Sequence, residues 1–131
     1  MNKSLNILLI INDDNMNELM TEGLESHGFK VEAFTFTLSS FPQGLIDILN
    51  KKKYDIIIPT NFYIPFQYVP QQIEIAKAYG NDAGIIVLSG YVEEGFIEKY
   101  TQLPKIAFVK SPFSWKHLFA TIYELSNKDN E

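Results

Sequence analysis

The chain has 131 residues and a formal net charge of −5, it contains no cysteine, and all 11 of its basic residues are lysines. The length fits one ordinary domain, and the lack of cysteine excludes a disulfide scaffold, a thiolate metal site and cysteine catalysis. Arginine is the preferred residue for recognising phosphates and base edges, so its absence argues against nucleic-acid recognition.

The N-terminal segment is apolar, but no apolar run of the sequence approaches the ~18 residues that a bilayer requires. This first run leads directly into Asn12, Asp13 and Asp14, where a signal peptide would carry a cleavage site of small residues. We therefore interpret it as a buried strand, and we predict a cytoplasmic protein with no membrane partner.

Short apolar stretches alternate with segments of helical periodicity along the chain. Apolar runs of this length are typical of strands buried on both faces of a parallel sheet. The predicted strands cover 5–11, 29–34, 56–58, 85–88 and 106–109. The predicted helices cover 14–28, 39–53, 70–80, 92–100 and 114–126, and the tail from about Asn127 is polar.

Some helix boundaries carry their own signals. Asp14 or Asn15 can cap the first helix, and Gly28 is placed to end it, because glycine readily adopts the conformation that closes a helix. Ser39 or Ser40 can cap the second helix, and Ser114 can cap the last one. These signals place helix ends before any tertiary contact is considered.

The repeated strand–helix order predicts an α/β fold over residues 1–131, without a linker or an internal repeat. We expect a doubly wound, five-stranded parallel sheet with helices on both faces. Sites in such sheets collect at the carboxyl ends of the strands. Polar residues at these ends are Asp13, Asp14, Thr60, Asn61, Ser89, Lys110 and Ser111, which one cleft could hold.

The segment 54–65, YDIIIPTNFYIP, resembles the third strand of response-regulator receiver domains. Further stretches resemble the same family in the same order, so that the likeness extends over about 6–125: ILLIINDDN, HGFKVEAF, IIVLSG and FVKSPFSWKHLFATI. The resemblance implies a CheY-like, flavodoxin-like sheet with strand order 2-1-3-4-5. It also implies a role in two-component signal transduction, or phosphorelay, without an enzymatic activity.

The phosphoacceptor position of that family is altered in this chain. Counting forward from Tyr54 places Thr60 at the position of the acceptor aspartate, and counting back from Pro65 places Asn61 there. Neither residue is a carboxylate, which an acyl phosphate requires. Pro59 cannot donate to a sheet, so it either ends the strand or sits at a bulge, and a bulge would explain the difference between the counts.

The metal position is implied by the resemblance. Asp13 and Asp14 match the acidic pair that holds magnesium together with the acceptor aspartate. A hard dication prefers such oxygen ligands. Because the third carboxylate is missing, we expect magnesium binding to be weakened or lost.

The switch positions are likewise implied by the resemblance. Ser89 matches the hydroxyl residue that contacts the phosphoryl group, and Phe108 matches the switch aromatic. Ser111 stands where the family has its lysine, whereas Lys110 is displaced by one residue and could reach the cleft only through a bulged loop. The bond between Ser111 and Pro112 is a candidate cis peptide bond.

An aromatic segment follows the third strand, and the family does not explain it. Its aromatic residues are Phe62, Tyr63, Phe66 and Tyr68. If they are exposed, they form a surface for a partner or a ligand. If they fold inward, they fill the space left by the lost metal and phosphate. His27 and His117 lack companion ligands nearby in sequence, and we interpret both as surface residues.

We expect a stand-alone pseudo-receiver that signals through a protein partner, since no output domain follows Glu131 in the sequence. The resemblance implies a partner face on the fourth helix, fifth strand and fifth helix, about 92–126, and dimerisation stays open. One alternative is a conventional magnesium-dependent phosphoacceptor, although Asp55 lies at the wrong end of its strand. The other is a flavodoxin-like small-ligand binder, although INDDNMN lacks the residues of a phosphate-cradling loop.

Overall fold

The computed structural model describes residues 4–60, 68–90, 95–101, 103–110 and 112–127. The strands are β1 Asn6–Ile11, β2 Lys30–Thr35, β3 Ile56–Pro59, β4 Gly84–Ser89 and β5 Ile106–Lys110. The helices are α1 Asp14–Ser26, α2 Gln43–Lys51, α3 Val69–Tyr79, α4 Phe96–Thr101 and α5 Trp115–Asn127. The strands form one parallel sheet in the order β2-β1-β3-β4-β5, which confirms the predicted fold class and strand order.

The sheet separates two apolar cores. Leu8 and Ile10 of β1 pack into the core that α2, α3 and α4 cover. Ile7 and Leu9 of the same strand pack into the second core, which α1 and α5 cover. The alternation follows from strand geometry, because successive side chains point to opposite faces of the sheet. Strands buried on both faces need continuous apolar sequence, which is why these segments were recognisable.

Pro59 is the last residue of β3, and it disturbs the sheet on one side only. The pairing of β3 with β1 continues through Pro59, whereas its pairing with β4 stops after Ile57 opposite Ile85. Pairing resumes where Thr60 bridges Leu88, with the same offset between the two strands. No residue is inserted, so the bulge hypothesis is wrong. The hypothesis that the proline ends the strand is confirmed.

The second helix begins later than predicted, at Gln43. Pro42 occupies the N-cap position and makes no side-chain cap, so the predicted serine cap is wrong. The preceding hydroxyls form a turn instead: the backbone N–H of Ser40 donates to Thr37 Oγ1 at 3.1 Å. Serine and threonine favour such local turns, and the pattern of polar residues alone does not separate a turn from a helix cap.

The ends of two other helices follow the predicted signals. The Ser114 hydroxyl accepts a hydrogen bond from the backbone N–H of His117 at 3.0 Å, and it thereby caps the start of α5. Gly28 follows α1 with a φ of +101°, a conformation that favours glycine. None of the helices in the described ranges is long and apolar enough to cross a membrane.

The indole ring of Trp115 lies on the backbone of α1 at Gly23. A Cβ atom at this glycine would be 2.3 Å from Trp115 Cη2, far inside van der Waals contact. The missing side chain therefore lets α5 seat against α1. The sequence around this glycine gives no indication of the indole ring that packs on it.

Candidate functional site at the carboxyl edge of the sheet

The carboxyl ends of the parallel strands meet at one edge, which brings the described candidate residues together. Thr60 follows β3 and bridges Leu88 of β4. Ser89, the next residue, pairs in register with Lys110 of β5. Asp13 lies two residues beyond the end of β1. The sheet thus gathers these predicted site residues along one edge, as the topology requires.

Several predicted residues lie outside the described residues: Asn61, Phe62, Tyr63, Phe66 and Ser111. Three expectations therefore stay predictions. They concern the alternative acceptor position, most of the aromatic segment and the lysine position. The same holds for the cis bond predicted at Ser111–Pro112.

Thr60 is engaged in the fold through its side chain. It is 3% exposed, and its hydroxyl donates to the carbonyl oxygen of Ile10 at 2.8 Å. The backbone N–H of Thr60 donates to the same oxygen at 3.0 Å. Both bonds tie the end of β3 to β1, directly after the proline that interrupts the ladder on the β4 side. The hydroxyl therefore has a structural role, at one of the two positions that the resemblance aligns with the acceptor aspartate.

The two aspartates after β1 have different surroundings. Asp13 is the N-cap of α1, and its Oδ1 accepts a hydrogen bond from the backbone N–H of Asn15 at 3.1 Å. The predicted caps, Asp14 and Asn15, are thus off by one or two positions. Asp14 is exposed, begins α1 and lines a groove between α1 and β2. The Asp13 carboxylate thus caps α1, and the Asp14 carboxylate lies at the groove between α1 and β2.

These residues do not fit a three-carboxylate magnesium site. In the described part of the chain, no group of three or more acidic, histidine or cysteine side chains is placed to hold a metal ion. Asp13 and Asp14 supply two carboxylates, and the hydroxyl of Thr60 is turned to a backbone oxygen. Weakened or lost metal binding at these aspartates stays a prediction.

The switch positions lie on regular strand ends. Ser89 is buried, and it makes interactions within the fold. Phe108 is half-buried and packs against the core under α2, α3 and α4, as a core residue would. Lys110 is exposed and belongs to the regular pairing of β5 with β4. Because side chains alternate along a strand, Lys110 leaves the sheet on the side of Phe108.

The described member of the aromatic segment packs inward. The ring centroid of Tyr68 lies 5.3 Å from that of Phe36 and 6.5 Å from that of Phe41. Phe36 is buried, and its ring centroid is 5.0 Å from that of Phe41. For Tyr68, the hypothesis of inward packing thus describes the observed contacts. The two phenylalanines were missed in the sequence, because they lie in the turn region outside any regular period.

Gln72 is a third residue that the sequence pattern did not single out. It lies in α3 with no solvent exposure, and among the described residues neither its amide nitrogen nor its amide oxygen has a hydrogen-bond partner. It follows Tyr68 by four residues and therefore shares that side of the helix. A buried amide without partners costs about 1–3 kcal/mol. The only sequence signal was a polar residue within the buried stripe of the helix.

The opposite, amino edge of the sheet holds a polar cluster. The Tyr54 hydroxyl donates to Glu32 Oε2 at 2.9 Å, and the Lys52 ammonium pairs with Glu32 Oε1. The hydrogen bond from Lys52, and then that from Tyr54, lowers the pKa of Glu32. Burial, followed by the bond to Glu32, raises the pKa of Tyr54. The opening tyrosine of the resemblance motif is thus a structural residue.

Asp55 also lies at the amino edge. Its Oδ2 accepts a hydrogen bond from the backbone N–H of Asn6 at 2.8 Å, which ties the start of β3 to the start of β1. The position agrees with the sequence interpretation that Asp55 lies at the wrong end of its strand. His27 and His117 are exposed, as predicted, and the ring of His27 stacks on Phe119 with 3.9 Å between centroids.

Comparison with known proteins identifies the fold from structure and not from sequence. No protein-family model matches the chain, and no curated protein matches it. A response regulator receiver protein from Sinorhizobium medicae WSM419 is 17% identical with a TM-score of 0.76, covering 95% of this chain and 96% of that protein.

Two further solved structures are similar. The receiver domain of sensor histidine kinase PA1611 from Pseudomonas aeruginosa PAO1, which has a magnesium ion in its active site cleft, is 17% identical with a TM-score of 0.70, covering 95% of this chain and 99% of that one. An adenylate cyclase from Rhodopirellula baltica is 17% identical with a TM-score of 0.77, covering 98% of this chain and 93% of that one. The chain therefore has the fold of response-regulator receiver domains.

Proposed function

We propose that this chain is a receiver-like signal transduction domain of two-component type that is not phosphorylated at the usual site. It acts by binding a protein partner. The proposal rests on Thr60, at the carboxyl end of β3. Its buried hydroxyl donates a hydrogen bond to the carbonyl oxygen of Ile10. Phosphoryl transfer to the usual site requires an exposed carboxylate, and this position has neither a carboxylate nor solvent exposure.

The strand register supports Thr60 as the acceptor position. Pairing of β3 with β4 keeps one offset from Ile57 to Thr60, so no insertion displaces the end of the strand. The forward count from Tyr54 then applies without correction, and the acceptor aspartate is replaced by threonine. Asn61, the other possibility, also lacks a carboxylate, and the proposal holds for either position.

The partner face that we propose consists of α4, β5 and α5. Leu103, between α4 and β5, is 39% exposed, so a partner that binds this face can contact it. Tyr123 of α5 is equally exposed, but its ring lies near His27 and Phe29, on the α1 side of the helix. Leu103 is accordingly the first residue to mutate when a partner is available.

Magnesium has a minor place in the proposal. Asp13 and Asp14 would bind the ion weakly, because the described residues supply two carboxylates and one of them caps α1. The ion would contribute positive charge near the ends of β1 and β3. A cytoplasmic location, predicted from the short apolar runs of the sequence, and the absence of an enzymatic activity, implied by the resemblance, complete the proposal.

A conventional phosphoacceptor is the weaker candidate function. It would need a carboxylate at the carboxyl edge, and Asp55 is bonded to Asn6 at the opposite edge. A flavodoxin-like ligand binder is the other candidate. The loop after β1 places acidic groups where a phosphate-cradling loop would place backbone N–H donors and small residues.

Intact-mass spectrometry after incubation with magnesium and acetyl phosphate tests the proposal. The wild-type chain is expected to gain no phosphoryl group, while a receiver domain that keeps its acceptor aspartate serves as the positive control. Thr60→Asp and Asn61→Asp are assayed in parallel, because a variant that gains the modification identifies the acceptor position. Stoichiometric modification of the wild-type chain would overturn the proposal.

A further inference from the structure

The outer edge of β2 is open. In the described residues this strand pairs with β1 on one side and with no strand on the other. Lys30 donates its N–H to Leu5 on the β1 side, and alternate residues of a strand face the same neighbour. The backbone N–H and C=O groups of Val31, Ala33 and Thr35 therefore point away from the sheet. Such a row of groups is a template for a further strand.

A groove of about 380 Å³ runs beside this edge, between α1 and β2. Val31 and Ala33 form its apolar floor. The α1 wall is polar and includes Asp14, Glu18 and Glu22. The groove therefore combines the two features that recognise an extended peptide: backbone groups along a strand and side chains that line an adjacent channel.

The acidic side chains of the wall share one face of α1. Asp14, Glu18 and Glu22 are spaced four residues apart, about 6 Å along the helix axis per step. All three are exposed, and within the described ranges none of them forms an ion pair with a lysine. Like charges at this spacing destabilise a helix slightly, so a cationic neighbour would remove an existing repulsion.

We propose that the α1–β2 groove docks an extended segment of a protein partner that is rich in lysine or arginine and adds a strand beside β2. The open edge supplies the backbone hydrogen bonds, and the acidic wall selects the charge of the occupant. The groove shares Asp14 with the carboxyl edge, but its other lining residues lie outside that edge and outside the α4–β5–α5 face, so the inference does not depend on the proposed function.

A second copy of this chain is a poorer occupant. Pairing two β2 edges would bring two acidic walls together, and each chain carries a formal net charge of −5. The repulsion between two such surfaces opposes association. The complementary occupant is a basic segment.

The test uses a synthetic peptide as long as β2, six residues, with alternating lysine and valine. Its acidic counterpart has glutamate in place of lysine. Backbone amide NMR of the full chain follows each titration, and protection from hydrogen exchange is measured at Val31, Ala33 and Thr35. We expect the lysine peptide to shift and protect these amides and the glutamate peptide to leave them unchanged.

A third peptide separates strand addition from simple charge attraction. It has the lysine–valine sequence with every backbone nitrogen methylated, so its charge is kept while its backbone hydrogen-bond donors are lost. We expect it to bind at least about tenfold more weakly, because backbone bonds supply much of the affinity in strand addition. Equal affinity of the methylated and unmethylated peptides would overturn the proposal.

Charge selection is tested with E18Q/E22Q, and the matched control E25Q/E124Q removes the same charge from exposed positions outside the groove. We expect the groove variant to bind the lysine peptide about three- to tenfold more weakly and the control to stay within about twofold. The proposal is overturned if both variants lose affinity equally, if no lysine peptide binds, or if the edge amides respond to protein concentration alone through self-association.

Discussion

The two edges of the sheet use polar residues differently. At the amino edge Tyr54, Glu32 and Lys52 form a closed cluster, and Asp55 ties β3 to β1. At the carboxyl edge, where receiver-type chemistry would lie, Thr60 is bonded to the backbone.

The difference explains what the family resemblance preserves. The Tyr-Asp pair that opens the motif ties neighbouring strands together through both side chains. Thr60, one of the two candidate acceptor positions, also serves the fold. The similarity to receiver domains therefore indicates the fold, and it does not by itself indicate phosphoryl transfer.

The largest effect is expected for Thr60→Asp, which introduces a carboxylate at the carboxyl end of β3. The position is 3% exposed and faces the carbonyl oxygen of Ile10, so an ionised side chain there is buried against an acceptor. We expect a loss of about 2–4 kcal/mol in the free energy of unfolding, measured by urea denaturation. Unchanged stability would show that the position opens to solvent.

Thr60→Val is the matched control for that substitution, because it keeps the shape and removes only the hydroxyl. The carbonyl oxygen of Ile10 retains the bond from the backbone N–H of residue 60. We expect a smaller loss, about 0.5–1.5 kcal/mol.

Tyr54→Phe probes the amino edge with the next largest effect. It removes the hydroxyl that donates to Glu32, while the buried ring and the pairing of Glu32 with Lys52 are retained. We expect a loss of about 1–2 kcal/mol by urea denaturation, since a hydrogen bond to a charged group is stronger than a neutral one. A variant as stable as wild type would mean that water replaces the tyrosine hydroxyl as donor to Glu32 without loss of stability.

Gln72→Met removes the unpartnered amide from the first half of α3. Methionine keeps the volume and adapts to its surroundings, so the core loses no contacts. We expect a gain of about 1 kcal/mol in the free energy of unfolding. If the variant is destabilised, the amide has a partner when the chain is in solution.

The pH dependence of the amino-edge cluster is the smallest effect. The pKa of Glu32 is lowered below its ordinary value of 4.5, so its contribution is present above that pH and is lost as the pH falls through the lowered value. We expect the melting-temperature difference between wild type and Lys52→Met to shrink on acidification below about pH 4.5. A difference that is constant with pH would show that Glu32 is not coupled to Lys52. Lys51→Met is the control.

The fold was predictable because burial on both faces forces continuous apolar strands. The positions of Leu8 and Ile10, for example, follow from the run that contains them. Helix ends were predictable where one local residue decides them, as at Ser114 and Gly28. The start of α2 was not predictable, because Thr37 competes for the same polar groups in a turn.

The site was predictable as a location and not as a set of interactions. Topology placed Thr60 and Ser89 at one edge, but the bond from Thr60 to Ile10 joins residues 50 positions apart in the sequence. The contact of Trp115 with Gly23 and the burial of Gln72 likewise arise from packing between distant elements. Such contacts carry no local period, and sequence patterns do not reveal them.

The most direct test of the central claim is a backbone amide NMR titration with magnesium, followed by beryllium fluoride as a phosphoryl mimic. If the acceptor chemistry is lost, the resonances of Thr60, Ser89 and β5 stay unchanged when the mimic is added, and magnesium alone shifts only residues near Asp13. A saturable response to the mimic that spreads from Thr60 and Ser89 into β5 would contradict the claim, because it would show a working phosphoryl switch.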